Sequence, residues 1–237
     1  MPKYYPVMLD VRGRKAIVVG GDKISAEKAA SLAASGAHVS VLSPTFCYEL
    51  LQQAEAGQVT LWRKAYEPGD LADAFVVVAV ASSPELVEAI WAETQQRGQL
   101  VNIVDVPAYC TFILPSILRR EQLTVAVSTE GASPGLAKRI RQELEAYFPT
   151  AYGPYLRLAA LARSMLRNRG VSYEQRDAFF ADFFASDVLA QLVKGNSAEA
   201  IAITADLLQR YGVTAEVGTL KKSFEDETEK EYSYRGV

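Results

Sequence analysis

Ala16-Ile17-Val18-Val19-Gly20 (AIVVG) is the stretch that decides the fold. A short, continuously apolar run of this kind suits a fully buried strand. A Gly20-Gly21 turn follows it, then an Ala-rich segment from Ile24 to Ser35 that stops at Gly36. Glycine just past the last helical residue is the usual helix stop. The same alternation continues outward. His38–Ser43 (HVSVLS) reads as a second strand closed by Pro44, Val59–Trp62 as a third, and Phe75–Ala81 (FVVVAVA) as a fourth. Unbroken apolar runs mark strands covered on both faces. Ser83-Pro84 opens a helix with proline in its first turn, and Gly98 closes it. Leu100–Val106 (LVNIVDV) reads as a fifth strand. Strands alternating with helices imply an α/β domain with a parallel sheet between helices, a Rossmann-like architecture.

After the fifth strand the pattern changes. Phe112–Leu118 and Leu123–Ser128 read as two more β-rich runs, separated by Arg119, Arg120, Glu121 and Gln122. Ser133-Pro134 opens a long helix that runs to Phe148 and stops before Pro149. From Pro154 to Tyr211 the apolar spacing is helical, with breaks expected near Gly170 and Gly195-Asn196. The tail from Lys221 is charged and poor in apolar residues, so it is expected to be loose.

The totals exclude several classes. Of 237 residues, 49% are apolar and 22% charged, as in a globular soluble protein, and the net charge of −3 argues against a nucleic-acid partner. No apolar run approaches the roughly 20 residues of a membrane helix, so no membrane partner is expected. Met1 to Leu9 is too short and too mixed for a signal peptide. Cys47 and Cys110 lie far apart and form no CxxC, which fits neither a disulfide framework nor a zinc knuckle; a reducing cytoplasm is the expected compartment. His38 is the only histidine, which removes imidazole-built metal sites and a Ser-His-Asp triad from consideration.

Strand, glycine turn and helix start together form a phosphate-binding device, because backbone N–H groups and the helix dipole favour an anion there. The full fingerprint is Gly-x-Gly-x-x-Gly/Ala. Here Gly20-Gly21-Asp22-Lys23-Ile24-Ser25 puts Asp22 at the middle glycine and Ser25 at the last small position. A carboxylate there repels a pyrophosphate by about 1 kcal/mol at 4 Å in water and about 4 kcal/mol at an effective dielectric of 20. Asp22 is also a good helix N-cap, and Lys23 and Lys28 offset some of its charge. Two readings stand: a working dinucleotide site, or a Rossmann-like scaffold with an altered one. Ser43-Pro44-Thr45, at the end of the second strand, lacks the acid that takes a ribose 2′-hydroxyl, so nothing at that position separates NAD from NADP.

In open α/β sheets, ligands bind beyond the carboxyl ends of the strands. Asp105 is placed there, at the end of Asn102-Ile103-Val104-Asp105-Val106, with Pro107 behind it. A carboxylate in that place suits a general base or a weak, transient metal ligand; the alternative is an ordinary turn Asp before proline. Arg119 and Arg120, with Lys138, Arg139 and Arg141 on the following helix, suit a polyanionic small molecule. The loop Ser128-Thr129-Glu130-Gly131-Ala132-Ser133 leads into that helix and offers a second N-terminus to a carboxylate. For any one of these cations, a solvated helix face is the competing reading.

Jointly these stretches resemble the precorrin-2 dehydrogenase and sirohydrochlorin ferrochelatase family of siroheme biosynthesis. The resemblance rests on Tyr5-Pro6-Val7-Met8-Leu9, Val18-Val19-Gly20-Gly21, Asn102-Ile103-Val104-Asp105, Cys110-Thr111-Phe112-Ile113-Leu114-Pro115-Ser116, and Leu123–Pro134 (LTVAVSTEGASP) leading into Leu136-Ala137-Lys138-Arg139-Ile140-Arg141. It implies a Rossmann-like NAD-binding domain over 1–113, a small β-rich dimerisation region over 114–150, a C-terminal helical domain over 151–212 and a charged tail over 213–237. It also implies a homodimer, a tetrapyrrole polycarboxylate substrate, NAD as cofactor and, in some members, Fe²⁺ as a second substrate. Asp105 matches the aspartate implicated in both steps. The nucleotide contacts implied are Gly20, Gly21, Asp22, Lys23, Ile24, Ser43, Pro44, Thr45 and Ala81. Those to the substrate are Asn102, Arg119, Arg120, Ser128, Thr129 and Ser133.

The chain departs from the family pattern mainly on the nucleotide side. Asp22 stands in place of a third glycine, Ala81-Ser82-Ser83 in place of Thr with acidic or amide residues, and Val87 in place of Asn. Glu130 stands in place of a second glycine. The expectation is therefore NAD-dependent oxidation of precorrin-2 to sirohydrochlorin, with the ferrochelatase step that some members of the family add left open. The alternative is a chelatase or tetrapyrrole-binding protein with a weakened NAD site. A third reading, a non-enzymatic subunit docking through Phe179, Phe180, Phe183 and Phe184, competes with plain core packing of those rings.

Overall fold

The computed structural model describes residues 3–214 and 217–225. They divide into two compact units. The first runs to Leu114 and takes in Glu130–Ala132; the second takes Pro115–Thr129 and the described chain from Ser133 onward.

The first unit is built on five parallel strands, β1 (Lys15–Val19), β2 (His38–Leu42), β3 (Val59–Trp62), β4 (Val76–Ala79) and β5 (Leu100–Ile103), in the order β3-β2-β1-β4-β5. Three α-helices accompany them, α1 (Lys23–Ala34), α2 (Tyr48–Glu55) and α3 (Pro84–Arg97), with a short 3-10 turn at Pro107–Tyr109. Period-two alternation divides each strand between two cores. Ala16, Val18, Val39, Val41, Val76 and Val78 pack with Ala26 and Ala29 of α1 and Leu50 of α2. Ile17, Val19, Val77, Ala79, Val101 and Ile103 pack with Val87 and Ile90 of α3. This is why the strands read as continuous apolar runs. The order reverses between β1 and β4, which makes their carboxyl ends the switch point where such sheets bind ligands.

Buried Glu93 of α3 fastens the β3–β4 connection. Its carboxylate accepts from Tyr66 Oη (2.7 Å), Gly69 N (2.9 Å) and Leu71 N (3.2 Å), and pairs with Arg97 at 3.2 Å. Burial, with Glu93 beside it, pushes the Tyr66 phenol well above its ordinary value.

The second unit begins with an antiparallel hairpin, β6 (Ser116–Arg120) and β7 (Leu123–Val127), turned by Glu121 and Gln122. Five helices follow: α4 (Pro134–Tyr147), α5 (Tyr152–Asn168), α6 (Tyr173–Ala185), α7 (Val188–Val193) and α8 (Ser197–Arg210); residues 217–225 are also helical. Leu158, Ala162 and Leu166 of α5 meet Phe179 and Phe183 of α6, Val188 of α7 and Ile201 and Leu208 of α8 in one core. Phe179 and Phe183 are fully buried, so core packing accounts for them, whereas Phe184 is exposed. Ser172 and Gln175 form a reciprocal capping box at the start of α6.

Several expectations need correction. Helix α2 was not anticipated. The fourth and fifth strands are shorter than their apolar runs, and Asp105 lies in the turn beyond β5. Residues 112–115 are not a strand, because Pro115 carries no N–H to pair. Arg119 and Arg120 end β6 rather than lying in the connection, which is only Glu121-Gln122. The tail is not loose from Lys221: the helical stretch 217–225 buries Leu220 and Phe224 in the helical core. The remainder of the expected tail, from 226, lies outside the described residues.

Candidate functional site

The phosphate loop starts where β1 ends. Gly20 has φ 138°, and a Cβ on it would collide with Ser25 Oγ and sit 3.1 Å from Val80 Cβ. A Cβ on Gly21 would overlap the Thr45 carbonyl oxygen and lie 2.6 Å from Ser43 Oγ. Both glycines are therefore required by close approach, which ties together three of the sequence-predicted positions, Gly21, Ser43 and Thr45. Cys47 N donates to Gly21 O at 2.7 Å and Gly20 N to Leu42 O at 3.0 Å.

Asp22 is the N-cap of α1. Its Oδ1 accepts from Ser25 N and from Ser25 Oγ, each at 2.8 Å. The carboxylate is exposed and satisfies the third residue of the helix. Among the described residues, no acceptor takes the N–H groups of Gly21, Asp22, Lys23 and Ile24. Consecutive unengaged N–H groups at a helix start, with no Cβ at Gly20 or Gly21, form a cradle that fits a pyrophosphate. Lys23 lies beside it and pairs with Glu49 at 3.2 Å. Its own backbone N–H, and then Lys23, hold Glu49 below the ordinary carboxylate value. Ile24 is exposed, and Ala81 is half-buried just beyond β4.

The ends of β2 and β3 are joined by Ser43 N donating to Trp62 O at 3.1 Å. Arg63 comes next in the chain. Its guanidinium lies 5.0 Å from the Phe46 ring centroid, and its Nη1 donates to Pro44 O at 3.4 Å. Sequence reasoning passed over this residue; a cation directly after the third strand was the available signal.

Asp105 is exposed and adopts φ 63°, a left-handed conformation that L residues other than Asn and Asp rarely take. The turn around it is fixed by Cys110. Its sulfur accepts from Ile103 N (3.2 Å) and lies within bonding reach of Ile103 O (3.3 Å) and Val106 O (3.4 Å). Burial pushes the Cys110 thiol up, against the opposing effect of the Ile103 hydrogen bond. Asn102 is buried and donates to Phe112 O at 3.0 Å, while Thr111 Oγ1 accepts from Val101 N at 2.8 Å. Asn102 thus braces the segment after the Asp105 turn. No group of three His, Cys, Asp or Glu side chains among the described residues is placed to hold a metal ion.

The other expected substrate residues lie in the second unit. Arg119 is exposed on the hairpin, and Arg120 Nε donates to Phe148 O at 2.8 Å. Ser133 caps α4 through Leu136 N (3.3 Å) and gives its own N–H to Thr129 Oγ1 (3.1 Å); Ser128 is exposed. Arg139 pairs with Glu143 at 3.0 Å and Arg141 with Glu145, so two of the expected cations are engaged on their own helix, while Lys138 is exposed. A cavity of about 640 Å³ borders α5, lined in part by Gln122, Arg163, Ser164 and Arg167; none of the sequence-predicted residues lines it.

Comparison with known proteins gives two family matches: a putative NAD(P)-binding family over residues 7–116, and the sirohaem biosynthesis protein central family over residues 120–147. A siroheme synthase of Nitrosococcus oceani is 33% identical over 198 residues, covering 84% of this chain and 42% of the relative. One from Pseudomonas entomophila is 36% identical over 197 residues, covering 83% of this chain and 42% of the relative. This chain therefore spans about two fifths of the length of these curated relatives. A solved structure titled SirC, precorrin-2 dehydrogenase, matches with a TM-score of 0.71 and 27% identity, over 88% of this chain and 99% of that one.

Proposed function

We propose that this chain, a member of the precorrin-2 dehydrogenase and siroheme synthase family, oxidises precorrin-2 to sirohydrochlorin with NAD⁺ as hydride acceptor. The observation that carries this reading is the shared sheet edge. The phosphate cradle follows β1 and Asp105 follows β5, on either side of the half-buried Ala81 beyond β4.

Gly20, Gly21, Asp22, Lys23 and Ile24 would hold the pyrophosphate, Ser43, Pro44 and Thr45 the adenosine ribose, and Ala81 the nicotinamide half. When bound, the nicotinamide supplies the acceptor for a hydride. Removing a hydride and a proton from neighbouring atoms creates one double bond in the substrate. Asp105 takes that proton, and its exposed position leaves it accessible to a bulky tetrapyrrole. Arg119, Arg120, Ser128, Thr129 and Ser133 bind the substrate carboxylates, with Asn102 bracing the Asp105 turn. Iron insertion would use Asp105 as a passing ligand for Fe²⁺, and the working form is a homodimer.

The test is anaerobic incubation of the purified chain with precorrin-2 and NAD⁺. Equimolar NADH and sirohydrochlorin are expected; no NADH at saturating nucleotide overturns the reading. Adding Fe²⁺ afterwards reports the chelatase step as siroheme formation.

A second reading, a tetrapyrrole-binding chelatase with a weakened nucleotide site, is favoured by Asp22 at the cradle. Asp22→Asn keeps an oxygen for Ser25 N and removes the charge. Nucleotide affinity is expected to rise by about fivefold at low salt, the worth of about 1 kcal/mol at 4 Å in water, and by less at high salt. Unchanged affinity in calorimetric titration would mean that the carboxylate does not oppose the phosphates.

A further inference from the structure

The cradle leaves open which dinucleotide enters it, and the ends of β2 and β3 bear on that choice. We infer that the site accepts the 2′-phosphorylated dinucleotide, NADP⁺, about as well as NAD⁺, with Arg63 taking the additional phosphate. The inference rests on the nucleotide site of the proposed function and deepens it.

Sites that reject the 2′-phosphate place an acid at the end of the second strand, where it binds the ribose hydroxyl and repels a dianion. Ser43-Pro44-Thr45-Phe46-Cys47-Tyr48 contains no acid. The first one, Glu49, is paired with Lys23 at 3.2 Å. The register Leu42↔Trp62 and the Ser43 N–Trp62 O bond bring Arg63 alongside that segment. Its guanidinium is held on the Phe46 ring and by Pro44 O, both within the segment expected to meet the ribose. A guanidinium has five donors in a fixed fork; Pro44 O engages one nitrogen, which leaves capacity for a phosphate. Stacking on Phe46 restricts the side chain in advance, so less ordering is needed on binding.

The test is calorimetric titration of the full chain and of its Arg63→Gln and Arg63→Glu variants with NAD⁺ and NADP⁺. In the wild type, the two dissociation constants are expected to lie within about threefold of each other. Arg63→Gln should weaken NADP⁺ by about tenfold, the worth of one charge-assisted hydrogen bond, and leave NAD⁺ within about twofold. Arg63→Glu should weaken NADP⁺ further. Tight NAD⁺ binding with NADP⁺ more than about tenfold weaker in the wild type overturns the inference alone. So does an equal loss for both ligands in Arg63→Gln. Binding of neither nucleotide overturns the dehydrogenase reading and this inference together. Arg63 is exposed, so thermal melting of the variants should match the wild type and exclude misfolding as the cause.

Discussion

Asp105→Asn lowers precorrin-2 turnover by at least about a hundredfold while the protein keeps its stability; this is the expected result, since general-base catalysis contributes about 10²- to 10⁴-fold. The substitution keeps the shape and the tolerance for φ 63° but removes the proton acceptor. Asp105→Gly sharpens the test. A left-handed L residue costs roughly 1–2 kcal/mol, less for Asp, and glycine relieves that cost while adding about 0.5–1 kcal/mol of backbone entropy. Asp105→Gly should therefore melt within a few degrees of the wild type and be equally inactive. Steady-state rates and thermal melts on the same preparations decide the matter. Turnover within about threefold of wild type in both variants would remove Asp105 from the chemistry.

The second large effect concerns stability. Glu121, at the tip of the β6–β7 hairpin, pairs with Arg157 of α5 at 2.7 Å, with side chains only 22% and 8% exposed. The Arg157 guanidinium lies 4.9 Å from the Phe224 ring centroid. Removing one partner of a buried pair costs about 3–5 kcal/mol. Glu121→Gln should fall near 3 kcal/mol, since Glu121 keeps some contact with water. Arg157→Met should cost more, because it also takes away the packing on Phe224. Replacing both with apolar residues should recover much of the loss. Urea unfolding of the full chain measures this; a loss below about 1 kcal/mol for either single variant would show that the pair is held as weakly as a surface one. Gly153 gives an independent check. A Cβ there would overlap the Glu121 carboxyl group, so Gly153→Ala, normally favourable within a helix by up to about 1 kcal/mol, should instead destabilise.

Most of the first unit was legible from sequence because its strands are apolar on both faces and its helices carry overt stops. Gly98 closes α3 in the left-handed conformation, and Ser83 caps the start of the same helix, which opens with proline. Helix α2 escaped notice because it is short and Cys47 makes no side-chain cap bond. The hairpin limits were misplaced because Glu121-Gln122 has none of the Asn, Asp or Gly that mark a two-residue turn, although Glu121 does adopt φ 54°. The break between α6 and α7 carries neither glycine nor proline; Ser186 makes it by bonding back to Phe183 O. At the site, the glycines, Asp22 as N-cap and Asp105 beyond β5 could be read directly. Arg63 and Cys110 could not, because their meaning depends on neighbours supplied by other strands and turns. The same holds for Arg157 and Glu121, which meet across 36 positions of chain. Phe224 was hidden by the charge of the residues around it.

The strand order has a metric consequence. Between the loop after β1 and the turn after β5 lies only β4, so the two are separated by two steps of the hydrogen-bonded ladder. At about 4.8 Å per step this is a span of roughly 10 Å, set by backbone pairing and independent of side chains. The sheet acts as a ruler between the anion cradle and the acid. Loop length and surface charge can drift without altering that interval, whereas inserting one strand would lengthen it by a fixed increment. What the loops then determine is which molecule is held at each mark.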